Sequence, residues 1–161
     1  MIFVTVGMHH QGFDRLIKAM DELAGIAEEP VVMQIGSAKY EPVHAEWFRF
    51  APQKQVDELC GAARVIVGHA GAGTILSAFH HNRPVVIVPR RLPYQEHVDD
   101  HQLDLAHALS SQNKVILVDE PTAQALQEGI RRAEQLPQVH TSAGNLVRAI
   151  RNTLESSTSL R

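Results

Sequence analysis

Three glycine-marked turns hold the residues whose types and spacing suit chemistry. The first is GMHHQGF, residues 7–13, where Gly7 ends a strand-forming run, His9 and His10 follow, and Gly12 opens a helical pattern. Glycines in such a place let main-chain N–H groups close on an anion, and the helix start adds a favourable field. The spacing is neither G-x-G-x-x-G nor that of a P-loop, so a plain strand-to-helix turn is the competing reading. The second is GHAGAGT, residues 68–74, in which Gly68, Gly71 and Gly73 bracket His69 and lead to Thr74. Successive N–H groups at a helix start form an anion nest, to which a histidine and a hydroxyl add donors. His69 then either packs or holds a phosphate. The third, PRRLPYQEHVDDHQLDLA (89–106), brings Arg90 and Arg91 as cations beside that site. Its His97 and His101 lie four apart and share a helical face. H-E-x-x-H is absent, and Asp99 and Asp100 lie off that face, so a metal is not expected.

These turns need a scaffold that brings them to one edge. Strands are expected at 2–6, 31–35, 47–50, 63–67, 84–88 and 114–118, each a short apolar run without polar alternation. Phe13, Leu16, Ile17, Met20 and Leu23 recur at spacings of three and four, the mark of an amphipathic helix. A short helix is expected around Val56, Leu59 and Cys60. Others are expected from Thr74 to Phe79, from Val98 to Leu109, and over 122–135 and 143–154. Strands buried on both faces and alternating with helices predict an α/β, doubly wound, mainly parallel sheet of about six strands. One domain is expected over 1–155, with 156–161 a frayed tail. In such sheets ligands bind beyond the carboxyl ends of the strands, where all three turns fall.

Composition narrows the class of function. A chain of 161 residues with 44% hydrophobic content suits one core. A formal charge of −3 gives no basic field for nucleic acid, and 5% aromatic content gives no base-stacking platform. The single Cys60 fits a reducing compartment. It sits on an apolar helical face with no His-Asp grouping to activate it. No apolar run reaches membrane-spanning length, and MIFVTVG reads as a first strand with no basic stretch of a signal peptide.

MIFVTVG…GFDRLIKAMDEL, VIVGHAGAGTILSAF, RPVVIVPR and DHQLDLA, taken in order, resemble the C-terminal, nucleotide-sugar-binding half of family 28 glycosyltransferases. The likeness covers roughly residues 1–120. It is greatest to small single-domain subunits of two-part enzymes. One is the eukaryotic subunit that adds the second N-acetylglucosamine to a dolichol-linked oligosaccharide, and others serve bacterial exopolysaccharide synthesis.

The resemblance implies a Rossmann-like GT-B half-molecule with a UDP-sugar donor, a lipid-linked sugar acceptor and no cofactor. A membrane-anchored partner subunit would bind the acceptor, holding this chain at the cytoplasmic face of the membrane. Lacking that partner, the isolated half could self-associate. By the same resemblance, Gly7 and its neighbour His9 face the donor phosphates, and Phe50 packs near uracil. His69, Gly71, Gly73 and Thr74 hold the diphosphate, with His69 stabilising the leaving group. His101 and Gln102 contact the donor sugar. Ser77 stands where many relatives place a ribose-binding acid, and lacks that acid's charge-assisted grip. No general base is evident. Two other roles compete: a non-catalytic stabilising subunit of such a complex, and a metal-dependent hydrolase using His97, His101 and Asp100.

Overall fold

The computed structural model describes residues 1–97 and 101–137 together with 148 and 152; for 101 and 102 it describes the main chain alone. The described elements run β1 (Ile2–Thr5), α1 (Asp14–Ala24), β2 (Val31–Gln34), β3 (Glu46–Phe48), α2 (Gln53–Ala62) and β4 (Val65–His69). They continue with α3 (Ala72–His80), β5 (Val85–Val88), a 3₁₀ turn at Leu92–Tyr94, α4 (His101–Ser111), β6 (Ile116–Leu117) and α5 (Ala123–Ala133). The six strands form one sheet in the order β3-β2-β1-β4-β5-β6. Every neighbouring pair is parallel. The chain therefore winds outward from β1 in one direction and from β4 in the other. The crevice between the carboxyl ends of β1 and β4 is the switch point at which such sheets bind ligands.

The two faces of the sheet feed two cores. Ile2 and Val4 of β1, with Met33, Val67 and Val86, pack under Leu16, Ile17 and Met20 of α1 and Leu126 and Ile130 of α5. Phe3, Ile66 and Ile87 point the other way, against Ile75 and Phe79 of α3 and Leu105 and Leu109 of α4. Alternate residues of one strand so reach opposite layers, which is why these strands lack polar alternation.

Three expectations change. The fourth strand does not stop at Val67: Gly68 and His69 continue the ladder, paired with Ile87 and Val88. Helix α3 starts at Ala72, earlier than the apolar periodicity indicated. The third strand is not buried on both faces, because β3 is the sheet's edge and its Glu46 and Trp47 are exposed. The helix read over 143–154 and the tail 156–161 lie outside the described residues, apart from 148 and 152, which are helical.

The long connection from β2 to β3 is held by two acids of α1. Asp14 accepts from the N–H groups of Lys39 and Tyr40 at 2.8 and 2.6 Å. Asp21, 1% exposed, accepts from Tyr40 Oη at 2.7 Å and from the N–H groups of Val43 and His44 at 3.0 and 2.8 Å. Burial raises the Asp21 pKa, but the bonds from Val43, Tyr40 and His44 outweigh it and hold the carboxyl below its ordinary value. The folded state thus favours the carboxylate. Its contribution is complete above the unfolded carboxyl's pKa and is lost as pH falls through the folded one. Asp21→Ala is expected to lower neutral-pH stability by about 2–3 kcal/mol. In urea titrations the gap to the unaltered protein should narrow below about pH 4.

Candidate active site at the β1–β4 switch point

His69 closes β4, and the glycines around it are explained by its ring. Gly7 has φ +71°, and a Cβ there would lie 2.8 Å from His69 Cε1. A Cβ on Gly71 would overlap His69 Nε2. The imidazole therefore sits between two main-chain segments that can approach only because neither carries a side chain. Gly68 serves the neighbouring contact, since a Cβ there would come within 2.8 Å of Thr5 O and 2.9 Å of Thr74 Cγ2. Gly73 differs: a Cβ there would meet nothing within 4 Å. It is the second residue of α3 and faces open space.

That helix start suits an anion. Gly71 is the N-cap and supplies no side-chain cap, and the first helical bond runs from Ile75 N to Gly71 O at 3.2 Å. The N–H groups of Ala72, Gly73 and Thr74 precede that bond and lack intrahelical acceptors. Thr74 Oγ1 lies 3.3 Å from His69 Nδ1.

Burial pushes the His69 pKa down to about 4, with the positive charge of Arg90 acting in the same direction; a hydrogen bond to the Thr5 main chain opposes both. At neutral pH the ring is an uncharged imidazole whose single N–H goes to the Thr5 carbonyl, leaving its other nitrogen an acceptor.

A cleft of about 400 Å³ opens over these groups. Of the residues singled out from sequence, Gly7, His69, Gly73, Thr74 and Ser77 line it. Gly71 stands behind the His69 ring. Phe50 is 54% exposed, its ring edge beside Gly36 at the carboxyl end of β2. His9 stacks on His10 and on His97, with ring centroids 4.5 and 4.8 Å away. Burial lowers its pKa, helped by the charge of Arg90. His101 and Gln102 fall in the first turn of α4, and their side chains lie outside the described residues, as does Asp100. Among the described residues no group of three or more His, Cys, Asp or Glu is placed to hold a metal ion.

The arginines require a correction. Arg90, expected as a cation beside the phosphate turn, is 1% exposed. It donates through Nη1 to the carbonyls of Gln11, Gly12 and Glu96 at 2.9, 3.2 and 3.0 Å, and through Nη2 to Val6 O at 2.7 Å. It binds the first turn to the third from within. Arg91 turns to Asp119 Oδ1 at 3.0 Å. Arg15, which the sequence did not single out, completes the clamp. Its Nε and Nη2 meet the two carboxylate oxygens of buried Glu96 at 3.0 and 2.9 Å, and its guanidinium lies 4.8 Å from the Tyr94 ring centroid.

Thr5, Gln34 and Cys60 also line the cleft and were missed as site residues. Gln34 closes β2 on the same edge as the three turns, but no motif marks it in the sequence. Burial raises the Cys60 thiol to about 11, against a hydrogen bond with Ser77, so it is a protonated partner of the Ser77 hydroxyl.

The glycosyltransferase family 28 C-terminal domain pattern matches residues 1–152, and the chain belongs to that family. It is 29% identical over 119 residues to the human UDP-N-acetylglucosamine transferase subunit ALG13, a match covering 67% of this chain and 10% of the relative's length. The chain thus spans about a tenth of that curated relative. An NMR structure of ALG13 superposes with a TM-score of 0.63 at 17% identity, covering 92% of this chain and 94% of that one. The calicheamicin glycosyltransferase CalG4 superposes at 0.60 and 19% identity, with 97% of this chain covering 39% of it. The shared fold is that of a GT-B half.

The imidazole's position carries a pH signature. Unfolded histidine takes a proton near pH 6.5, and buried His69 only near 4. Between those values the unfolded chain binds more protons, so stability is full above pH 6.5 and falls by about 3 kcal/mol on the way to pH 4. His69→Gln should remove that portion of the decline, as read from urea midpoints across the range. Gly71→Ala, which forces the ring to move, should cost about 1–3 kcal/mol at neutral pH.

Proposed function

We propose that this chain is the donor-binding half of an inverting, UDP-sugar-dependent glycosyltransferase. A membrane-anchored subunit supplies the acceptor half, and the sugar passes to a lipid-linked acceptor. The observation that carries this reading is the uncapped helix start, open at Gly73, lying with Thr74 and the His69 ring at the β1–β4 crevice. The human relative's designation as a subunit of a UDP-N-acetylglucosamine transferase supports the two-part arrangement. No described helix is long and apolar enough to cross a membrane; in this reading the partner holds the complex at the cytoplasmic face. Bacterial exopolysaccharide synthesis is the setting suggested by the sequence resemblance.

In glycosyl transfer the anomeric C–O bond breaks and negative charge develops on the departing nucleoside diphosphate. Donors already aimed at that position stabilise the transition state without reorganising. The N–H groups of Gly73 and Thr74 and the Thr74 hydroxyl, which lies beside His69 Nδ1, fill this role. No covalent residue is required. The general base that takes the acceptor's proton is assigned to the partner half.

Calorimetry of the chain with UDP, alone and with its co-purifying partner, tests the reading; absence of binding in both states would overturn it. His69→Ala combined with Thr74→Ala is expected to abolish transfer in an intact complex, the lost hydroxyl donor costing about 3 kcal/mol at the barrier and the lost ring freeing the turn that aims the rest. The alternative, a stabilising subunit without a part in the chemistry, is favoured by one observation. Ser77, bonded to Cys60, occupies the place of the ribose-binding acid. Transfer that survives the double substitution would establish it.

A further inference from the structure

Gln34 closes β2, is 3% exposed, and lines the cleft. Its carboxamide oxygen is occupied, accepting the Thr5 hydroxyl at 2.5 Å. Thr5 Oγ1 in turn accepts the Gly7 N–H at 3.4 Å. The hydroxyl thus accepts from Gly7 and donates to the Gln34 oxygen, which turns the amide nitrogen away from Thr5. The carboxamide nitrogen is left with two N–H donors that no described residue accepts. That nitrogen is not sealed from the cleft that Gln34 lines, so its N–H groups stand where a bound ligand can take them in place of water.

Its place in the sheet indicates what that is. Phe48, Gln34, Thr5 and Gly68 stand in register across β3, β2, β1 and β4. The helix start and His69 lie at the β4 end of this row. Ala51, Gln53 and Val56, which follow β3, line the other end. Gln34 lies two strand spacings from β4, about 10 Å. A ligand with its diphosphate on the start of α3 and its remainder running towards β3 passes over Gln34 beyond its phosphates, at the nucleoside.

We propose that Gln34 is a specificity-determining residue of the donor site, its Nε2 donating to an acceptor oxygen of the nucleoside, either a ribose hydroxyl or a pyrimidine carbonyl. This rests on the donor-site reading above. Gln34→Glu tests it, because it keeps an oxygen for Thr5 and replaces the free donors with an acceptor of the same shape. Binding of UDP, 2′-deoxy-UDP and inorganic pyrophosphate is measured by calorimetry on the full chain, alone and with its partner.

The variant is expected to lose UDP affinity roughly tenfold to hundredfold while binding pyrophosphate as before. If the preference for UDP over 2′-deoxy-UDP also shrinks, the contact is to the 2′-hydroxyl; if it is unchanged, the contact is to the 3′-hydroxyl or the base. Equal weakening of UDP and pyrophosphate, or no weakening of either, overturns the assignment. Gln34→Met, which removes both polar ends, should show the same selective loss and serves if the glutamate variant does not fold. Failure of the unaltered protein to bind UDP in any state removes the donor-site reading, and this assignment with it.

Discussion

The site depends on a steric fit: one imidazole ring between two stretches of bare backbone. His69 occupies the space that side chains at Gly7 and Gly71 would need. Gly7 adopts a left-handed φ of +71°, which other residues adopt only with strain. The consequences spread outward from this packing. The first turn can lie against the end of β4 only over a thin residue. The start of α3 can leave the strand only where the ring does not meet a Cβ. Packed between these segments and near the charge of Arg90, the ring is held neutral. The position of the histidine and its charge state thus have one cause.

A second constraint holds that packing together from the opposite side. Arg90 draws four main-chain carbonyls, one from Val6 just after β1 and three from the first and third turns, towards one guanidinium. Glu96, 4% exposed, faces Arg15 and also accepts the Arg91 N–H at 3.0 Å. A buried guanidinium needs most of its donors satisfied, and removing such a group leaves carbonyls unpaired in a dry place. The network is therefore a strut: it fixes Gly7 over His69. Its positive charge also acts on the ring, which is one reason the imidazole resists protonation.

The layout of the sheet was legible because each strand announces itself by β-branched runs and each helix by its periodicity. The wound topology follows from that alternation. The glycine turns were legible as special, but their physical reason was not. Sequence suggested that glycines at 68, 71 and 73 admit a phosphate, whereas only Gly73 faces open space and Gly71 admits a histidine ring. Whether a glycine makes room for ligand or for protein depends on contacts between β1, β4 and α3, which are distant in sequence. Arg90 was misread for a related reason. An arginine after a strand end looks like a surface cation until the carbonyls of residues 6, 11 and 12 are seen to converge on it. Gln34 was overlooked because a glutamine ending an apolar strand carries no motif; its meaning comes from Thr5, paired beside it on β1.

The electrostatic character of the crevice follows from these placements. Arg90 and Arg91 are both engaged with protein groups, and the groups facing the cleft near the helix start are dipoles: main-chain N–H groups, a neutral imidazole, a hydroxyl and a carboxamide. Dipoles bind an anion less strongly than guanidinium groups do, but they are directional, and their effect is greatest where charge is concentrated at a defined point. On the donor-site reading, that point is the oxygen released as the glycosidic bond breaks. Moderate attraction for the diphosphate in the ground state, with aimed donors for the charge that grows on it, places the benefit in the transition state. A free cation at the same spot would have held the substrate and the departing product alike. The burial of Arg90 thus leaves its charge to position the first turn and to keep His69 neutral, while the crevice itself is lined by dipoles whose aim is set by the sheet.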